Sequence, residues 1–411
     1  MRVLGFCEGA RADSGGVGLI GVPLIHQALA GQGNRDALAI GGQAMPSAQP
    51  MLCHHIDDIL DGPSDEGAVG VTQFPALGRW CFSPALYRAA MASGARVDFV
   101  TLHSLYSFPV LAGYAVARRF NKPFGLWPHG VLAPIQREVG KRKKAVYDSI
   151  IARRILDHAS VLFYTAEGER DEAAALGLTT PSVVIPHGVD RAQFEKLPAR
   201  GAFRQKYMAG HQGRLVLYLG RLNVKKGLEL LVEAMAGVIR EYPDARLVIA
   251  GGGHPPSFTN QVENWIAQAG ISDTTVVTGA LDHYDKLTAF ADSDVFVLPS
   301  VAENFGFAMF EAMACGRAVV CSDTVNYAGE VSRFDAGIVA KRTPADFAAA
   351  IGLLLRDPDR RARLGQNGLK LVSIYSWERC GRLLETTVQC ILAKQPFPSV
   401  LKPNNGCGTQ P

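Results

Sequence analysis

Two glutamates, Glu303 and Glu311, flank the run Asn304-Phe305-Gly306-Phe307, which follows an apolar segment Asp294–Leu298 and the pair Pro299-Ser300. A helix that begins near Asn304 leaves free backbone N–H groups and the positive end of its dipole between the two carboxylates, and that is an anion site. At a rise of ~1.5 Å per residue the carboxylates stand roughly 10–12 Å apart along the axis. A carboxylate binds hydroxyls and a helix N-terminus binds phosphate. Carboxylate, anion site and carboxylate in a row therefore fit a sugar, a diphosphate and a ribose, the parts of a nucleotide sugar.

Other segments offer matching chemistry. Gly220-Arg221-Leu222-Asn223-Val224-Lys225-Lys226-Gly227 follows the apolar strand Arg214–Leu219. Arg221 there can fork onto phosphate oxygens, and Lys226 supplies a compact point charge. Gly251-Gly252-Gly253 either lets backbone approach a ligand closely or makes a plain turn. Gly279-Ala280-Leu281 ends the next strand, where backbone groups can meet a base. Pro-His-Gly-Val occurs twice, at Pro128–Val131 and Pro186–Val189, each after an apolar strand. His129 is placed to touch a sugar, and His187 reads as an ordinary turn residue. His54-His55 with Asp57 lacks zinc-ligand spacing, so no metal is expected. Gly16-Val17-Gly18-Leu19-Ile20-Gly21 matches the dinucleotide pattern, but it starts far from the strand Arg2–Cys7. The second strand also ends in Gly41-Gly42 without an acid for a ribose. A flexible glycine loop or a structural turn suits it better.

These residues need strand ends to carry them, and the chain supplies two rounds of alternating strands and helices. Arg2–Cys7, Arg35–Gly41, Val97–Leu102, Pro123–Trp127, Ser160–Tyr164 and Ser182–Ile185 read as strands of one sheet. Arg214–Leu219, Arg246–Ala250, Thr275–Thr278, Asp294–Leu298 and Ala318–Cys321 read as strands of a second. The expectation is an α/β chain of two Rossmann-like doubly wound domains, residues 1–195 and 196–375, with a cleft between them. A helix over 376–394 crosses back onto the first, and 395–411 form a flexible tail. In such sheets ligands bind at the carboxyl ends of the strands.

Composition agrees with a chain that buries a large core and forms two domains. The 411 residues are 48% hydrophobic and carry a net charge of +4, too little to imply nucleic acid. The eight cysteines contain no CxxC pair, as in a cytoplasmic protein with reduced thiols. The start of the chain does not read as a signal peptide, and the longest apolar run, Ser104–Ala117, is interrupted by Pro109 and too short for a bilayer. The basic concentration is Gln136-Arg137, Lys141-Arg142-Lys143-Lys144 and Arg153-Arg154, beside an apolar face of Val146, Tyr147, Ile150, Ile151 and Ile155. It is either a core-packed helix with a solvated side or a face that sits on anionic lipid, at the inner face of the cell membrane, or grips a phosphorylated acceptor.

Taken together, Ser14-Gly15-Gly16, Pro128-His129-Gly130, Pro186-His187-Gly188-Val189-Asp190, Gly220-Arg221 with Lys226-Gly227, and the Glu303–Glu311 pair resemble glycosyltransferase family four. These are retaining enzymes of the GT-B fold, and the resemblance covers about residues 1–394. Trp127-Pro128-His129-Gly130 and Glu303-Asn304-Phe305-Gly306 look like members that build bacterial polysaccharides. The resemblance implies that Glu303 holds hydroxyls of the donor sugar and Glu311 the ribose. It implies that Arg221, Lys226 and the backbone of Asn304–Phe307 neutralise the diphosphate, and that His129 meets the transferred sugar. Gly15 and Gly16 would close over the diphosphate. His187 stands where many members have Asn.

The implied activity is transfer of a sugar, with retention, from a UDP- or GDP-linked donor to a hydroxyl of a saccharide or lipid-linked acceptor. The donor is a substrate, and no cofactor or metal is expected. An epimerase or phosphorylase of the same fold, or a nucleotide-sugar-binding protein without turnover, are the alternatives.

Overall fold

The computed structural model describes residues 1–8, 22–41, 69–78, 80–138 and 141–397. Gly15, Gly16, the rest of the glycine loop and the His54-His55 cluster lie outside them. Two bodies form, residues 1–188 with the C-terminal segment from Trp377, and Val189–Ser376. The second begins earlier than residue 196 because Val189 already belongs to it, its N–H donating to Tyr375 O at 3.0 Å. Asp190 then caps a 3-10 turn, accepting from Ala192 N at 3.2 Å, and Phe194 is buried.

The first body holds β1 (Arg2–Glu8), β2 (Arg35–Gly41), β3 (Val69–Phe74), β4 (Phe99–His103), β5 (Phe124–Trp127), β6 (Val161–Tyr164) and β7 (Ser182–Val184). They form one sheet in the order β3-β2-β1-β4-β5-β6-β7, parallel throughout. Strands β4, β5 and β6 are buried along their whole length, which is why they read as continuous apolar runs. The helix Pro84–Ser93 starts as its residues dictate: Ser83 Oγ accepts from Leu86 N at 3.3 Å, and Pro84 occupies the first turn.

The last helix, Trp377–Leu392, packs on the helix Val22–Ala30 of this same body. Cys380, Leu384 and Val388 recur at helical spacing and join Ile25 and Leu29 in one core. Gly381 permits the approach, since a Cβ there would lie 2.1 Å from Ala28 O. Asn34 Nδ2 also donates to Glu385 Oε1 at 3.0 Å.

The second body holds β8 (Leu215–Leu219), β9 (Arg246–Ala250), β10 (Thr275–Gly279), β11 (Val295–Leu298), β12 (Ala318–Ser322) and β13 (Gly337–Ala340). Its parallel sheet runs β10-β9-β8-β11-β12-β13. In both sheets the order reverses direction beside the first strand of the body, and the loops at the carboxyl ends near that switch point carry the ligand-type residues.

Candidate active site

In the second body, the loops after β8, β9 and β11 are fastened to one another. Leu222 N donates to Gly252 O at 2.9 Å, and His254 N donates to Leu222 O at 2.8 Å. Gly251 has φ +147°, and a Cβ on it would sit 1.9 Å from Gly220 O, so the two loops touch only because no side chain intervenes. The buried Tyr218 hydroxyl donates to Arg221 O at 2.9 Å and holds the start of the loop. Asn223 Oδ1 accepts from Lys225 N at 3.0 Å and opens the 3-10 turn Val224–Lys226. Val301 N then donates to Lys225 O at 2.7 Å, so the turn is tied to the loop after β11.

That fastening brings Lys226 and Glu303 together. The Lys226 ammonium pairs with Glu303 Oε2, and both side chains keep some exposure, 17% and 20%. The Ser300 hydroxyl donates to the same oxygen at 3.4 Å. The backbone of Glu303 is fixed independently, bridging to Val325 and accepting from Asn326 N at 3.2 Å. Gly306, at φ +79°, delays the helix, which spans Phe307–Ala314 instead of starting near Asn304. Glu303 and Asn304 therefore lie in a loop, and the two glutamates do not share one helical ruler.

The Phe305 ring is buried, stacked 4.3 Å from Phe310 and edge-on to Tyr327. Its side chain anchors the loop, which leaves only its backbone for a ligand. Phe307 is half-buried and lies edge-on to Phe305 at 5.0 Å. Glu311 pairs with Lys286 at 2.9 Å, the two being 12% and 19% exposed. Lys286 was not read from the sequence, and nothing in Asp282-His283-Tyr284-Asp285-Lys286 marks it apart from other helix-surface lysines. Leu281 is half-buried after β10, next to Asp282, which caps the following helix by accepting from Asp285 N at 2.7 Å. Arg221 lies in the same loop system as Lys226.

In the first body, His129 follows β5 in a Pro128-His129-Gly130 turn, with φ +53° at His129 and +79° at Gly130. A non-glycine residue held there costs energy, and such strain is most often found at functional sites. Glu169, buried on the helix Glu167–Ala174, holds the turn in place. Its carboxyl accepts from Gly130 N at 2.6 Å and from Thr165 N and Oγ1, both at 2.8 Å. Burial raises its pKa against the pull of these donors. The sequence shows Glu169 only as one more acid in a helix's first turn. Replacing it with alanine strands two buried N–H groups and is expected to cost about 2–5 kcal/mol of stability, read as a lower urea midpoint. Glu169→Gln, which keeps an acceptor oxygen, should lose less.

Beneath the turn lies an aromatic stack. Trp127 faces His129 at 5.8 Å, His187 at 6.1 Å and Phe163 at 4.9 Å. His187, expected as an ordinary turn residue, is fully buried, and it meets Trp377 at 5.8 Å. Burial lowers its pKa to about 3 and holds those of His103 and His129 well below the usual imidazole range.

Comparison with known proteins decides the family. Residues 52–193 match the model of Glycosyltransferase Family 4, and residues 199–371 match that of Glycosyl transferases group 1. The chain belongs to the family-four glycosyltransferases. It is 27% identical over 408 residues to the D-inositol 3-phosphate glycosyltransferase of Kineococcus radiotolerans, with 92% of this chain and 90% of that one covered. It is 30% identical over 226 residues to a GDP-mannose-dependent alpha-(1-6)-phosphatidylinositol monomannoside mannosyltransferase of Mycolicibacterium smegmatis, covering 53% of this chain and 58% of that one. Two solved structures share its fold. Sucrose-phosphate synthase from Thermosynechococcus elongatus has a TM-score of 0.73 at 20% identity, covering 96% and 99% of the chains. Anabaena HepE in complex with UDP-glucose has a TM-score of 0.74 at 17% identity, covering 95% and 99%. The fold is GT-B, and the protein is a sugar-transferring enzyme.

Proposed function

We propose that the enzyme moves a sugar from a nucleoside-diphosphate donor, UDP- or GDP-linked, to a hydroxyl of a saccharide or lipid-linked acceptor, with retention and without a required metal. The observation that supports this best is two ion pairs in the second body: Lys226 with Glu303, joining the loops after β8 and β11, and Lys286 with Glu311, joining the helices that follow β10 and β11. A departing nucleoside diphosphate needs its growing charge met by fixed cations. Lys226 and Arg221 supply that charge from the loop after β8. Glu303 and Glu311 bind hydroxyls of the sugar and the ribose, and the backbone from Asn304 to Phe307 faces the phosphates. His129 is the first body's contact to the transferred sugar. The leaving phosphate takes the acceptor's proton in this reading, so no enzymic nucleophile is required.

The test is Glu303→Ala. Transfer, followed as nucleotide release and as product by mass spectrometry, is expected to fall about 100-fold or more while the protein stays folded. Undiminished turnover would overturn the assignment of that residue. Retention is checked by the anomeric coupling of the first-formed product, and metal independence by activity that survives EDTA.

An acceptor held in a membrane is the second part of the proposal, and it is motivated by exposed apolar side chains. Val146 and Ile150 are 61% and 54% exposed beside the basic helix Lys141–Tyr147, whereas Ile155 turns into the core. No helix among the described residues is long and apolar enough to cross a membrane. Peripheral contact predicts sedimentation with vesicles containing anionic lipid, weakened by salt, and little with neutral vesicles. Equal binding to both would count against it.

A further inference from the structure

Four side chains from four separate elements of the first body form one unbroken file of hydrogen bonds behind the His129 turn. Asp36 Oδ1 on β2 lies 2.7 Å from His26 Nδ1, on the helix Val22–Ala30. His26 Nε2 lies 2.9 Å from His103 Nε2, at the end of β4. His103 Nδ1 lies 3.0 Å from His129 Nε2. Asp36, His26 and His103 have at most 1% of their surface exposed. Gly5 on β1 makes room for the file, since a Cβ there would come within 2.3 Å of the His26 ring. At the far end, His129 Nδ1 is buried and has no hydrogen-bond partner among the described residues.

At each link between imidazoles one nitrogen donates and the other accepts, so the state of one end dictates the other, and the Thr101 hydroxyl oxygen, 3.4 Å from His26 Nε2, can accept a share of the same hydrogen. We propose that Asp36, His26 and His103 are positioning residues that hold His129 as its Nδ1–H tautomer, presenting a hydrogen-bond donor to an oxygen of the bound sugar. This rests on the reading of His129 as a sugar contact.

The direction follows from charge. A carboxylate among neutral imidazoles would be a lone buried charge, which costs far more than a neutral or paired group. One added proton shared by Asp36 and His26 makes the file electrically neutral. Burial raising the Asp36 pKa, with His26 opposing, acts in that sense. Whichever of the two holds that proton, His26 carries a hydrogen on Nε2 and donates it to His103 Nε2. His103 then carries its hydrogen on Nδ1 and donates to His129 Nε2. His103 and His129 stay neutral because burial disfavours their cations. His129 therefore keeps its single hydrogen on Nδ1, the atom left without a partner. A buried N–H in that position is satisfied by an acceptor oxygen of a ligand.

The experiment is two-bond nitrogen–proton correlation NMR on the full chain labelled with 15N-histidine, at pH 7.5, with His129 assigned from the spectrum of His129→Gln. The wild-type protein should show His129 protonated on Nδ1. His103→Phe keeps a ring against Trp127 but removes the donor to His129 Nε2. In it, the His129 signature should move toward the Nε2–H form. Its kcat should fall by about tenfold or more, as a mis-set tautomer does, with KM for the nucleotide sugar within about twofold of wild type. A wild-type His129 protonated on Nε2, or an unchanged tautomer in His103→Phe, overturns the proposal. The wild-type spectrum decides even if the variant does not fold. Absence of turnover with any nucleotide sugar would instead overturn sugar donation as the function, and the tautomer result is independent of it.

Discussion

Lys226→Ala is expected to slow sugar transfer by about 100- to 1000-fold, mostly in kcat, because it removes a fixed cation from the site where charge develops. Lys226 also neutralises Glu303. The single variant therefore does two things: it removes stabilisation of the leaving diphosphate and leaves a half-buried carboxylate without its partner. A double-mutant cycle separates them. If Lys226 acts only by holding Glu303, then Lys226→Ala and Glu303→Ala should be no worse together than the poorer one alone. If each meets a different part of the donor, the losses should approach additivity. Affinity for the free nucleoside diphosphate adds a second readout, since loss of the cation should weaken it and loss of Glu303 should not. An unimpaired Lys226→Ala enzyme would remove Lys226 from the chemistry and shift the charge stabilisation to Arg221 and the backbone.

What the sequence revealed and concealed follows from how local the causes are. Strand Arg35–Gly41 falls on the bounds read from its apolar run, because residues 36–40 are buried without a break. Strands Val69–Phe74 and Gly337–Ala340 escape such reading. Both stand at sheet edges and are only partly buried, so the apolar run that marks a central strand is weak. The helix after Glu303 begins later than the charge spacing suggests, because its onset depends on Gly306 adopting φ +79°, a backbone choice that charge spacing does not show. Glu303 and Glu311 stand out in the sequence by their spacing and surrounding residues, but each pairs with its own lysine and they do not lie on one helix. Lys286 does not stand out, since it reaches Glu311 from another helix. Asp36, His26, His103 and Glu169 were equally hidden. Each looks like an ordinary core or helix residue in sequence, and each acquires a role only when the sheet brings distant strand ends together.

The largest effect on stability is expected with acid. His103, His129 and His187 all have folded pKa values below their ordinary value, with burial as the leading cause. Below about pH 6.5 the unfolded chain therefore binds protons that the folded chain refuses. Stability is full above that pH and falls as the pH drops toward the lowered folded values. Three such groups give a slope of up to about 4 kcal/mol per pH unit, at about 1.4 kcal/mol for each proton. Asp36 and Glu169 act with the opposite sign. Their folded pKa values are raised, so the native state binds protons first and is favoured as the pH falls through those values. His187→Asn isolates one group, because it removes a buried imidazole whose folded pKa is about 3. The urea midpoint of this variant, followed by tryptophan fluorescence between pH 7 and 4, should depend less steeply on pH than wild type. The difference expected is about 1.4 kcal/mol per pH unit once the unfolded histidine is protonated. Parallel pH profiles for the two proteins would mean that His187 is charged while buried, and that the stack of Trp127, His129 and Trp377 shelters a cation instead of excluding one.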